Sequence, residues 1–272
     1  MNQRYDVAVI RNDKVVSLTQ RFPFLRIEGM RRESPRVNTE YNEQYQAITT
    51  QYEAFEIKLA FMIQHDNFYD YKIRRADLES FFADTNTYYL VESYMPDIKY
   101  HVQYVSMDFD KTVFFHTRGT VTFTAFEACG QSIGSTLNPR EINFNTWQFQ
   151  QGLLADDYEY TFNHSIFSVY NLGDFDVDPR EHYLKIVIKG EAQEGFEIYN
   201  RTTLERFVFN SSLSKARDET IEINGVYTYK NGVLSGINTN GELITLKSGK
   251  NDIELRNISN PKISFDFHFR HK

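Results

Sequence analysis

Ile263-Ser264-Phe265-Asp266-Phe267-His268-Phe269 alternates large apolar side chains with polar ones, residue by residue. In extended backbone, neighbouring side chains leave opposite faces, so this two-residue period is a strand with one face buried. The same period recurs upstream. Phe55, Ile57, Leu59, Phe61 and Ile63 alternate with Glu56, Lys58, Ala60 and Met62, and Val121, Phe123 and Ala125 alternate with Thr122 and Thr124. Leu184, Ile186 and Ile188 repeat it, and Ile221 and Ile223 start another strand that Tyr227 and Tyr229 continue up to Asn231-Gly232. That Asn-Gly pair supplies the positive φ angles a tight hairpin needs. One segment reads as a helix, from about Tyr69 to Ala83: Tyr71, Leu78, Phe81 and Phe82 share a face, Lys72, Arg75 and Glu79 point away, and Asp70 is placed to cap the start. Many alternating strands and one helix predict a mostly β protein. The polar stretch Gly130–Arg140, punctuated by Gly130, Gly134 and Pro139, is the expected boundary between domains 1–140 and 141–272.

Composition narrows the function classes. Hydrophobic residues make up 41% of the 272, enough for a sizeable core, and no apolar run is long enough for a membrane-spanning helix. The first residues hold no apolar signal segment, and a single cysteine, Cys129, leaves no disulfide framework or multi-cysteine zinc site. A net charge of −7 and a pI near 5.6 argue against a dedicated nucleic-acid binder. Residues 21–36 run against that average: Arg21, Arg26, Arg31, Arg32 and Arg36 face only Glu28 and Glu33. Such a segment is either a solvated loop or an arginine-rich surface that docks on an acidic partner.

Candidate chemistry is thin. Gly130-Gln131-Ser132-Ile133-Gly134 matches the G-x-S-x-G nucleophile elbow, which requires a strand-to-helix turn. Pro139 favours an extended exit, so these glycines are expected to be linker. Asp174, Asp176 and Asp178 imitate the start of a calcium loop, but Pro179 replaces the turn glycine and Lys185 the bidentate glutamate. The histidines (His65, His101, His116, His164, His182, His268 and His271) match no zinc spacing. Asp156, Asp157 and Glu159 supply acids for a glycosidase on composition alone. Sequons at Asn163, Asn200, Asn210 and Asn257 matter only in a secretory pathway.

The order of small motifs carries further. Tyr170-Asn171-Leu172-Gly173-Asp174 through Pro179 is followed by Leu184-Lys185-Ile186 to Lys189-Gly190. Then come Phe196-Glu197-Ile198-Tyr199-Asn200-Arg201-Thr202, Ile221-Glu222-Ile223-Asn224-Gly225, Leu246 through Ile253, and the aromatic strand ending at Phe269-Arg270. In this order the chain resembles the distal tail proteins of long-tailed, non-contractile bacteriophages. Its first half is similar in a looser way, through the helix and through Glu92-Ser93-Tyr94-Met95-Pro96 followed by Tyr100, so that the likeness covers about residues 20–272.

The resemblance implies a tail-tube-like split β-barrel with one helix, followed by a galectin-like β-sandwich. It implies a homo-hexameric ring at the virion tail tip, assembled in the host cytoplasm and stacked between the tail tube protein and the tail-associated hub protein. The tape measure protein would end nearby, a receptor-binding protein would attach outside, and DNA would cross the opening in transit without membrane insertion. It carries over no catalytic residue and no cofactor. The competing reading is a carbohydrate-binding module or adhesin, with Trp147 as its stacking platform.

Overall fold

The computed structural model describes residues 5–12, 14–33, 37–41, 47–110, 112, 114–127, 129–138 and 158–272. They fall into two compact units, the first ending at Gly130 and the second starting at Gln131 and holding all the carboxy-terminal strands.

The first unit contains β1 (Val7–Arg11), β2 (Lys14–Ser17), the single turn α1 (Leu18–Arg21), β3 (Leu25–Arg32), β4 (Val37–Tyr41), β5 (Ala47–Tyr52), β6 (Phe55–Gln64), α2 (Phe68–Phe82), β7 (Tyr88–Glu92), β8 (Ile98–Phe109) and β9 (His116–Ala125). The strands form an antiparallel sheet in the order β2-β1-β7-β8-β9-β6-β3, and β4 and β5 pair with each other. This is a split β-barrel. Its edge strand β3 reaches back across the fold, where the Arg32 guanidinium donates to the Tyr100 hydroxyl and lies 5.0 Å from that ring. The alternation in β6 is realised in full, with Phe55, Ile57, Leu59, Phe61 and Ile63 all buried.

Helix α2 closes the core by burying Tyr71, Leu78 and Phe82, the last at 5.7 Å from Phe123. Its start differs from the expected one. The Oδ1 of Asn67 accepts from the N–H groups of Tyr69 and Asp70, so Asn67 is the cap and Asp70 lies inside the first turn. Gly130, expected as linker, is packed instead: a Cβ there would come within 2.2 Å of the Ile98 side chain. Only glycine fits that position without displacing core atoms.

The second unit begins inside β10 (Gly130–Ser132) and continues through β11 (Thr161–Phe162), β12 (Ile166–Asn171), β13 (Leu184–Glu191), β14 (Phe196–Asn200), β15 (Glu205–Phe209), β16 (Ile221–Asn224), β17 (Tyr227–Lys230), β18 (Val233–Leu234), β19 (Gly249–Arg256), β20 (Ser259–Phe267) and β21 (Arg270–His271). A sheet ordered β11-β20-β13-β16-β17-β18 and another ordered β12-β19-β14-β15 enclose one core. Ile186, Ile188, Ile221, Phe265 and Phe267 enter it from the first sheet, and Phe167, Ile198, Phe207 and Ile253 from the second. The aromatic strand ends at Phe267 rather than Phe269, but Phe269 still packs edge-on to Phe267 at 5.6 Å. Ile221–Asn224 and Tyr227–Lys230 are two antiparallel strands, not one, because Gly225 turns the chain at φ 58. Asn231 and Gly232, at φ 50 and 78, form the expected tight hairpin.

Three buried asparagines tie the irregular segment before β19 to the sheets. The amide of Asn171 donates to the carbonyls of Phe175 and Leu246, that of Asn200 to Thr245, and that of Asn251 to Lys247. Backbone carbonyls outside the named strands thereby gain partners inside the fold. Asn200, one of the sequon asparagines, is fully buried in this network.

Candidate assembly surface

The arginine-rich segment is split by local geometry. Along β3, Ile27 pairs with Phe61 and Gly29 with Ala60, so Glu28 is the extra residue of a β-bulge. Before the bulge, Leu25 and Ile27 face inward and Arg26 faces out opposite Met62. After it the phase has shifted by one. Met30 and Arg32 lie opposite the buried Leu59 and Ile57, and Arg31 faces out opposite Lys58. Arg26 and Arg31 therefore share the outer face, while Arg32 is spent on Tyr100. Arg21 closes α1 with its guanidinium 5.1 Å from the Phe22 ring. Arg36 lies outside the described residues.

The acids around β3 are already committed. Glu28 pairs with Arg118 at 3.2 Å, and Lys58 holds Glu56 at 2.7 Å and Glu33 at 3.2 Å. Hydrogen bonds to Glu56 and then Glu33 raise the Lys58 ammonium above its ordinary range. Arg26 and Arg31 are exposed and have no acidic partner among the described residues. On the inner side, burial pushes the Tyr100 hydroxyl up to about 12 although Arg32 acts the other way, so it stays protonated.

A second exposed surface sits where α2 starts and β8 turns into β9. The His65 N–H donates to the Phe115 carbonyl, bringing the turn beside the helix start. Phe68, Tyr69 and Ile73 on the helix and Phe114 and Phe115 on the turn are all more than half exposed. Phe114 is 89% exposed and held at φ 52, a left-handed conformation that a bulky aromatic rarely adopts. The carboxylates of Asp66 and Asp110 flank this patch without a basic partner among the described residues. The alternation rule misses these residues because they lie in a turn and off the buried stripe of α2. Ile73, two residues from Tyr71 and on the wrong side of the helix, is the one signal the sequence offers.

The chemical candidates are placed as follows. Ser132 lies on an extended segment, not in a strand-to-helix turn. Its hydroxyl donates to the Gly134 carbonyl at 2.7 Å and accepts from the Phe269 N–H at 3.0 Å. His268 approaches it at 3.5 Å, but its Nδ1 is 2.9 Å from the same carbonyl. Only a protonated Nδ1 can bond a carbonyl, so that nitrogen is a donor and cannot take the serine proton. Asp176 is bound by Lys247 at 2.6 Å, Asp178 by Arg180 at 3.2 Å, and Asp174 accepts from the Lys272 N–H at 2.9 Å. No group of metal-ligating side chains converges among the described residues. Trp147, Asp156 and Asp157 lie outside the described residues. Cys129 is buried.

Comparison with known proteins agrees with the two-unit architecture. Residues 12–125 match the family described as phage tail protein RIFT-related domain. No curated protein matches the chain by sequence. Among solved structures, the Dit protein of phage SPP1, described as a paradigm of the hub adsorption apparatus in phages infecting Gram-positive hosts, is similar with a TM-score of 0.67 at 11% identity. The match covers 98% of this chain and 100% of that one. A chain of the phage P2 baseplate in its activated conformation aligns over 98% of each chain, with a TM-score of 0.44 and 9% identity. Residues 12–125 thus match a phage tail RIFT-related domain, and the whole chain, split barrel followed by galectin-like sandwich, shares the fold of the SPP1 Dit protein.

Proposed function

We propose that this chain is a structural component of the virion tail tip, forming a homo-hexameric ring that joins the tail tube to the tip hub and the host-binding components. The ring would be built by the domain spanning residues 1–140, while the sandwich of residues 141–272 offers its outer surface to other baseplate proteins. The observation that carries this reading is full-length agreement in fold with a tail hub protein, combined with a tail-family domain in its first half. The arginines at positions 21, 26, 31, 32 and 36 would lie at a subunit or partner contact. A heterologous contact that closes on itself multiplies every outward site around the ring, so weak individual contacts suffice for attachment. The chain acts through geometry rather than turnover. The net charge of −7 suits an opening that DNA crosses without being held, since few fixed cations would meet the phosphates.

Light scattering of the purified chain, with negative-stain images of the peak, tests the reading. The expected result is a ring with a central opening and the mass of a hexamer. A monomer that stays monomeric at every concentration and in the presence of tail tube protein would overturn it.

A further inference from the structure

Three asparagines are followed by glycine: Asn224-Gly225, Asn231-Gly232 and Asn240-Gly241. A glycine has no side chain to shield its amide nitrogen, which can attack the asparagine Cγ and close a five-membered imide. The attack needs a free N–H on the glycine and a side-chain amide that can leave. At two of the pairs the fold withholds these. The Gly225 N–H donates to the Leu184 carbonyl at 3.0 Å. The Gly241 N–H donates to the Thr239 hydroxyl at 3.2 Å, and the Asn240 side chain is committed to β15. Its Oδ1 accepts from the Val208 N–H at 3.0 Å, and its Nδ2 donates to the Arg206 carbonyl at 2.7 Å.

Asn231 differs at each point. The Gly232 N–H and the Asn231 Nδ2 have no acceptor among the described residues, and both residues are exposed. The Asn231 Oδ1 accepts from the Thr220 N–H at 2.8 Å. That donor polarises the Cγ carbonyl and is in place for the negative charge that develops on Oδ1 during attack. The turn leads into β18, a two-residue edge strand whose Val233 and Leu234 are 70% and 63% exposed, so opening it uncovers little apolar surface. We propose that Asn231 is a spontaneous modification site, the Asn-Gly pair that this fold leaves open to conversion into aspartate and isoaspartate. Solvent base takes the Gly232 amide proton, the nitrogen bonds to Cγ, and the Cγ–Nδ2 bond breaks as ammonia leaves. Water then opens the imide at either carbonyl. Both products place a new carboxylate at the β18 edge of the sandwich, and isoaspartate also lengthens the main chain of the two-residue turn by a methylene.

Incubating the intact protein in mildly alkaline buffer and mapping its peptides by mass spectrometry tests this, with enzymatic methylation of isoaspartyl groups as a second readout. In the folded protein, conversion at Asn231 is expected to run at least about tenfold ahead of that at Asn224 and Asn240. In guanidinium chloride, where no amide is held, the three are expected to convert at similar rates. Circular dichroism before and after incubation shows that the folded sample stays folded. Conversion at Asn224 or Asn240 that keeps pace with Asn231 in the folded protein overturns the proposal. So does an Asn231 that stays intact while the denatured control converts, because the turn would then be shielding it. A ranking that persists unchanged in denaturant also overturns it, because the flanking residues rather than the fold would set the order.

Discussion

Arg26 and Arg31, five residues apart on β3, leave the same face of the sheet because the bulge at Glu28 adds one residue between them. In a regular strand an odd separation would put them on opposite faces. The neighbouring Arg32 is placed on the Ile57 side by the same shift and contacts Tyr100 while the residue stays exposed. Adjacent arginines therefore have separable roles. Arg32→Ala is expected to lower stability by about 1–2 kcal/mol, through the lost bond and the stacking on a largely buried ring. Arg31→Ala is expected to change stability by less than about 0.5 kcal/mol and to weaken assembly. Urea melts and light scattering on both variants check this, and the reverse pattern would contradict the assignment of the two side chains to opposite faces.

Phe114 offers a case in which a substitution improves the isolated chain. At φ 52 an L-residue with a large ring is strained by about 1 kcal/mol, and glycine is not. Phe114→Gly should therefore raise the melting temperature of the protein slightly. A drop in melting temperature would mean that the ring contributes to the fold of its own chain.

The strands were legible because their information is local. In β6, β13 and β20 a single face is buried and the period of two survives intact. Composition favours Asp70 as readily as Asn67 for the cap of α2, since both are competent; only backbone geometry puts Asn67 outside the first turn. The bulge at Glu28 was invisible for another reason. Leu25-Arg26-Ile27-Glu28 alternates correctly and Met30-Arg31-Arg32 can be read in either phase, so the shift appears only when β6 fixes the register. The arginine cluster was thus recognisable from its charge, but which of its members face outward was not. The same holds for the aromatic end, assembled from a turn and a helix start that are distant in sequence.

Asn251 reads as an ordinary turn residue in sequence, yet it is fully buried and makes hydrogen bonds at both ends of its amide. Its Oδ1 accepts from the Lys247 N–H at 2.8 Å, and its Nδ2 donates to the Lys247 carbonyl at 2.8 Å. Asn251→Leu preserves approximate volume and strands both backbone groups. The expected loss is about 3 kcal/mol, since unpaired buried polar groups are costly one by one. Asn251→Asp should fare no better, because it keeps the acceptor, loses the donor and buries a charge. A loss under about 1 kcal/mol in denaturant melts of either variant would show that water reaches the site.

Asp70 gives the pH dependence a defined sign. Its carboxylate accepts the Asp66 N–H at 2.9 Å and pairs with Arg74 at 2.7 Å. The backbone bond foremost, and the arginine after it, hold its pKa below the ordinary value of 3.8. The unfolded chain then binds a proton at Asp70 more readily than the folded one. The stabilisation is complete above the unfolded value and disappears as pH falls through the lower folded value. Asp70→Asn removes that contribution, so it should lower the melting temperature near neutral pH. The gap between variant and parent should then close as pH drops from about 5 to about 2. Thermal melts across that range decide it. A gap of constant size would mean that the charge of Asp70 is not what holds the helix start, and that hydrogen bonding by the neutral side chain does the same work.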